Sequence, residues 1–151
     1  MWRSLSCTVV LTLAGCSDVY TETYATWQEA KDAGAVQRGW IGSFVPTSAV
    51  DIKETHNIDT NVQTLLFAVP PSQVPAMVRG MRTLAKTDMT IHPLLVDDLR
   101  LDMNDWEPFD RYIVCDEGNL GFLFVHSATG RSAYFNVQWE AARRVEEICS
   151  I

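Results

Sequence analysis

The run from residue 111 to 137 constrains the fold more than any other part of the chain. Three short segments, 111–115, 120–126 and 131–137, are rich in β-branched and aromatic residues, among them Ile113, Val114, Phe122, Phe124, Val125, Tyr134 and Phe135. Between them stand Asp116-Glu117-Gly118-Asn119 and Ser127-Ala128-Thr129-Gly130, both carrying turn chemistry. Connections this short cannot hold a crossover helix, so the three strands must be antiparallel neighbours in a meander. A sheet of this kind needs a second layer to bury its apolar face.

The region before the meander supplies candidates for that layer. Thr26-Trp27-Gln28-Glu29 is a capping-box pattern, and Gly34 suits a helix stop, which predicts a short helix over 27–33. Residues 39–46 are apolar but broken by glycine and proline, so they read as irregular chain packed by its aromatics. Residues 49–55 alternate as a strand, with Val50 and Ile52 on one face and Asp51 and Lys53 on the other. Asn57-Ile58-Asp59-Thr60-Asn61 is a turn, and 62–69 a second strand ended by Pro70-Pro71. Ser72 then caps an amphipathic helix whose apolar positions are Val74, Met77, Val78, Met81, Leu84 and Ala85. Residues 88–110 are mixed, and 140–148 suit a closing helix. The expected fold is α+β: an early hairpin and a C-terminal three-stranded meander form an antiparallel sheet, covered by the amphipathic helix.

The N-terminus has a different character. Arg3 is followed by a mostly apolar run of about eleven residues and then by small residues leading to Cys16, the layout of an export signal. The run is too short to span a bilayer as a helix, which takes about 20 residues. Leu13-Ala14-Gly15-Cys16 resembles the lipobox of bacterial lipoproteins. That resemblance implies cleavage after Gly15 and a diacylglycerol plus an N-acyl chain such as palmitate on Cys16. Two or more chains hold a protein stably on a membrane. Ser17, rather than Asp, follows the cysteine, which by resemblance implies the outer membrane, facing the periplasm. The expected organisation is a signal over 1–15, a lipidated tether over 16–25 reaching at most about 30 Å, and one globular domain over 26–151. The run 39–61 is similar to segments of small bacterial lipoproteins and secreted proteins that have no assigned activity.

Charge narrows the partners. The chain carries a formal −7, and loss of Arg3 with the signal makes the remainder one unit more negative. An acidic domain does not bind nucleic acid through phosphate neutralisation, and anionic lipid would not attract it. Any electrostatically chosen partner would be basic. Of the four cysteines, Cys7 leaves with the signal and Cys16 takes lipid. Cys115 and Cys149 remain as a candidate disulfide for an oxidising compartment, closing a loop of about 35 residues worth about 3–4 kcal/mol.

Candidate chemistry is sparse. The most unusual polar run is 51–61, where His56 and Asp59 can be drawn as an acid–base pair and Asn57 and Asn61 as ligand-orienting or left-handed turn residues. The same residues equally suit a hairpin turn that satisfies its own backbone. His56, His92 and His126 form no close pair, and no metal-ligand, nucleophile-elbow or phosphate-loop motif occurs. No metal or soluble cofactor is therefore expected. Asp97, Asp98, Asp102, Asn104, Asp105 and Asp110 lack calcium-loop spacing and read as a solvated acidic face. Trp27, Trp40, Trp106 and Trp139 suit a binding platform or, equally, the core and its edge. The leading expectation is a membrane-tethered, non-enzymatic domain binding an envelope protein, such as an inhibitor or immunity-type lipoprotein facing a basic enzyme. Its rivals are a small envelope enzyme using His56 and Asp59 and a purely structural envelope component.

Overall fold

The computed structural model describes residues 18–84, 108–116, 119–136 and 149. Seven strands form one sheet: β1 (Val19–Thr26), β2 (Val50–Asn57), β3 (Gln63–Ala68), β4 (Arg82–Thr83), β5 (Asp110–Asp116), β6 (Asn119–Val125) and β7 (Arg131–Asn136). Their order across the sheet is β1-β2-β3-β7-β6-β5-β4, and every pairing is antiparallel. Two meanders, β1-β2-β3 and β5-β6-β7, are thus stitched together by β3 against β7. The early hairpin and the C-terminal meander of the sequence reading are both present, within a mixed fold that is mostly sheet.

The sheet is accompanied by α1 (Trp27–Asp32) and α2 (Val74–Met77), the latter preceded by a 3-10 turn at Pro71–Gln73. The capping box forms at α1: Glu29 N–H donates to Thr26 Oγ1 at 3.2 Å, while the Glu29 carboxylate accepts from Ala25 N–H at 2.8 Å. Gly34 follows with φ +80°, a left-handed turn that ends the helix. The long amphipathic helix expected from Ser72 to Ala85 is not formed. Only four residues are α-helical, Val78 closes them, Gly80 turns left-handed at φ +83°, and Arg82–Thr83 join the sheet as β4. Helical spacing of apolar residues describes a face, and a short turn followed by an edge strand buries Val74 and Met77 equally well.

A second correction concerns residues 16–25. From Val19 on, the expected tether is β1, the outermost strand. It escaped the hydropathy pattern because an edge strand exposed on most of its surface has little need of apolar alternation. Only Tyr24 in it is buried.

The main core lies on one face, under α1, the irregular chain at 33–49 and α2. It gathers Ala30, Ile41, Val45, Ile52, Leu65, Phe67, Val74, Leu123, Val125 and Tyr134. One row of paired residues crosses the sheet on this face: Glu22, Glu54, Leu65, Tyr134, Leu123, Tyr112. Phe109, Phe124, Ala133 and Phe135 make a second cluster, with Leu66 and Phe122 against it. Close packing fixes two glycines. A Cβ on Gly121 would lie 2.2 Å from the Phe135 carbonyl oxygen, and one on Gly130 would lie 1.8 Å from that of Val69. Cys115 on β5 is disulfide-bonded to Cys149, with Cα atoms 5.6 Å apart, which ties residue 149 to the sheet. The closing helix over 140–148, Trp106, Trp139, His92, Asn104 and the carboxylates 97–105 lie outside the described residues, as do Cys7 and Cys16.

Candidate functional site

Strand β2 carries the site. Its bulge at Asp51 (φ +52°), where the register against β3 shifts between Val50 and Lys53, turns Val50 partly outward. Beyond the bulge, period-two alternation puts Ile52, Glu54 and His56 on the core face. Ile52 there is ordinary core. Glu54 is completely buried and His56 nearly so.

The two polar side chains satisfy each other. His56 Nδ1 lies 2.9 Å from both carboxylate oxygens of Glu54; when the acid is ionised, the ring N–H on that side donates to it. Burial drives the Glu54 carboxyl above the usual range, and the hydrogen bond and charge of His56 pull it back down. Glu22 adds a further upward push and Arg38 a downward one. An isolated carboxylate at this depth would cost several kcal/mol, which the imidazole offsets.

Aromatic rings close over the pair. Trp40 packs on the His56 ring at 4.0 Å between centroids, and Tyr20, its neighbour on β1, stacks on it at 5.5 Å. The Arg38 guanidinium sits 3.9 Å over the Trp40 ring and reaches Glu22 at 3.4 Å. Glu22 also accepts from the Tyr24 hydroxyl. Burial, together with that acid, pushes Tyr24 up to about 12. The Trp40 loop is pinned from both sides: Trp40 N–H donates to the Ala35 carbonyl at 3.0 Å, and the Trp40 carbonyl accepts from Gln63 Nε2. The outcome is a compact group in which three elements meet, β1, the chain after α1, and β2. His56 Nε2 is buried and has no hydrogen-bond partner among the described residues.

The residues singled out in the sequence separate in space. His56 faces the core, whereas Asp59 is exposed in the β2–β3 turn. The acid that holds His56 is Glu54, and Asp59 is instead next to Asp18, whose carboxyl it raises through a side-chain hydrogen bond and charge repulsion. Asn57 serves the turn, its Oδ1 accepting from Asp59 N–H and Thr60 N–H, both at 2.9 Å. Asn61 takes a left-handed φ of +54°, and its carbonyl accepts from Asn136 Nδ2 at 2.6 Å. Asn136 Oδ1 in turn accepts from Gln63 N–H at 2.7 Å, latching the turn to β7. Asp110 accepts from Ser127 Oγ at 2.5 Å, and Trp27 packs at the core edge beneath Lys31. Sequence reading missed Glu54, Trp40 and Tyr20 as partners of His56. The signal for Glu54 was present: alternation from Ile52 reaches it directly.

Chemically, Glu54 orients an imidazole whose free nitrogen is sealed from water in this conformation. The arrangement can hold a proton on the Nδ1–carboxylate axis. Among the described residues no three His, Cys, Asp or Glu side chains converge as metal ligands, and no helix is long and apolar enough to cross a membrane.

Fold and site together define a small α+β domain with a seven-stranded antiparallel sheet and a buried acid–imidazole pair at one end. Residues 18–68 match the family model of the YbbD head domain, which indicates a bacterial family. The matched third of the chain is β1, α1, β2 and β3, and it contains every member of the Glu54–His56 group as well as the run 39–61. No curated protein and no solved structure matches the chain.

Proposed function

We propose that this protein is a lipid-anchored envelope domain that binds another protein and does no chemistry. The observation that carries this reading is the outer edge of β1. It is an eight-residue strand at the rim of the sheet, with Val19 and Tyr20 half exposed and Ile58 beside them exposed at 62%. Open edges of this length are natural docking sites for another strand. The Glu54–His56 group supports the same reading from inside. Its one candidate base is packed under Trp40 and Tyr20, so its role is to shape the end of the domain that carries the edge.

The anchor belongs to the proposal through the resemblance of Leu13-Ala14-Gly15-Cys16 to a lipobox. Asp18 stands two residues after Cys16, so β1 would ride at the membrane surface. The test is purification from the protein's own membranes with intact mass and a census of tightly bound protein. The expected form begins at Cys16 with acyl mass, absent from Cys16→Ser, and carries a protein companion that Val19→Lys/Tyr20→Lys releases. A chain retaining Met1, or a companion indifferent to the double lysine variant, would overturn the reading.

A further inference from the structure

The edge of β1 has a definite hydrogen-bonding code. Ile58 N–H donates to the Asp18 carbonyl at 3.0 Å, and the register runs on as Val19 with Asn57, Tyr20 with His56, Thr21 with Thr55 and Glu22 with Glu54. In an antiparallel pair, residues that exchange hydrogen bonds alternate with residues that do not. Tyr20 and Glu22 therefore turn their N–H and C=O toward β2, and Val19, Thr21 and Thr23 turn theirs outward. The Thr21 and Thr55 hydroxyls meet at 3.0 Å, in keeping with this, because side chains approach most closely in the pairs without backbone bonds.

Among the described residues no strand pairs with that outward set. β1 contains no proline, glycine or lysine and is not bulged along 19–23, although these are the usual devices that blunt an edge. The opposite edge, β4, is two residues long. Among the described residues, β1 is the one rim long enough to accept a strand of useful length.

We infer that β1 pairs with β1 of a second copy of this chain, antiparallel about a two-fold axis through Thr21. This deepens the binding reading above and rests on it. Centred on Thr21, the rotation brings three hydrogen-bonding pairs together: Val19 with Thr23 on each side, and Thr21 with Thr21. On the core-side face it sets Tyr20 opposite Glu22 twice, an aromatic hydroxyl against an acid already tied to Arg38 and Tyr24. Other registers are worse. Centring on Glu22 opposes two carboxylates at the axis. Centring on Thr23 sets Val19 against Trp27, which is already helical. A two-fold contact needs one patch complementary to itself, and residues 19–23 are. The two Asp18 residues would then lie about 20 Å apart along the seam, so two anchored chains could pair with the seam lying along the membrane.

The test uses the full-length chain in its own membranes with a photo-cross-linking phenylalanine derivative in place of Tyr20. The expected adduct has twice the mass of the protein and falls at least tenfold with Thr21→Pro, which removes an outward N–H and leaves the backbone bonds to β2 intact. Thr21→Lys keeps that N–H and places a charge at the axis; it is expected to give the same loss, and decides the matter should the proline variant melt early. A double-mass adduct indifferent to Thr21→Lys overturns strand pairing. An adduct only at the mass of another protein overturns self-pairing but leaves the binding reading standing, whereas no adduct at all overturns both.

Discussion

Strands β1 and β7 have similar lengths and lie in the same sheet, yet they meet different demands. In β7, Ser132, Ala133, Tyr134 and Phe135 are all buried, because neighbours flank the strand on both sides and both of its faces are covered. In β1 only Tyr24 is buried. The centre of the sheet is held by apolar contact on both faces. Its outer end is held by a covering loop, a capped helix and a buried pair of opposite polarity. Central strands depend on volume, whereas the rim depends on particular hydrogen bonds.

Substitutions should reproduce this division. The largest effect is expected at the centre: Leu123→Ala, at a fully buried position on the main core row, should destabilise by about 3–5 kcal/mol in urea unfolding. A loss under about 1 kcal/mol would mean that the centre is loosely packed and the contrast false. Next comes His56→Ala, which strands the Glu54 carboxyl without its partner and should cost about 3 kcal/mol. The double change Glu54→Leu/His56→Phe should recover most of that loss. A double variant as weak as the single would show that the pair itself stabilises the rim, and would sharpen the comparison in the opposite direction. Thr26→Ala removes the cap of α1 and should cost about 1 kcal/mol by thermal unfolding.

The smallest effect is a pH slope. Folding raises the Glu54 pKa, so the folded chain binds more protons than the unfolded one between the ordinary glutamate value and the raised one. The linkage slope is then negative: this group's stabilising contribution is present below the ordinary value and fades as pH rises through the raised one. Glu54→Gln should remove that fall. The difference between the wild-type and variant stability curves isolates it from other carboxylates. Two parallel curves would place Glu54 at an ordinary pKa and remove the electrostatic half of the contrast.

Legibility in the sequence followed the same division. The meander β5-β6-β7 and the strands β2 and β3 could be read from alternation and turn residues, because there the local pattern and the tertiary environment agree. The capping box of α1 was readable for a similar reason: Thr26 and Glu29 act within one turn. β1 was not, since Val-Tyr-Thr-Glu-Thr-Tyr-Ala-Thr offers no apolar face and gains strand geometry only from β2. The stretch after Ser72 misled because its helical spacing is real, but Gly80 and a place beside β5 claim its second half. At the site, His56 stands out by type, yet the acid that holds it is not Asp59, three residues ahead in the turn, but Glu54, two residues back on the same strand face.

By itself, the sequence determined the elements whose causes are local: antiparallel neighbours wherever four-residue turns leave no room for a crossover, a helix start where a threonine can cap it, a left-handed bend where glycine or asparagine permits one. It also determined the acidic charge and placed Cys115 and Cys149 as an even pair. Only the tertiary structure decided that β3 lies against β7, that a polar segment becomes the rim of the sheet, and that the chain at 33–49 folds down over Glu54. Those outcomes depend on how distant segments pack: the alternation of β2 carries the carboxylate at position 54 to the core face, the chain around Trp40 covers the end of that face, and His56 lies within hydrogen-bond reach of the acid.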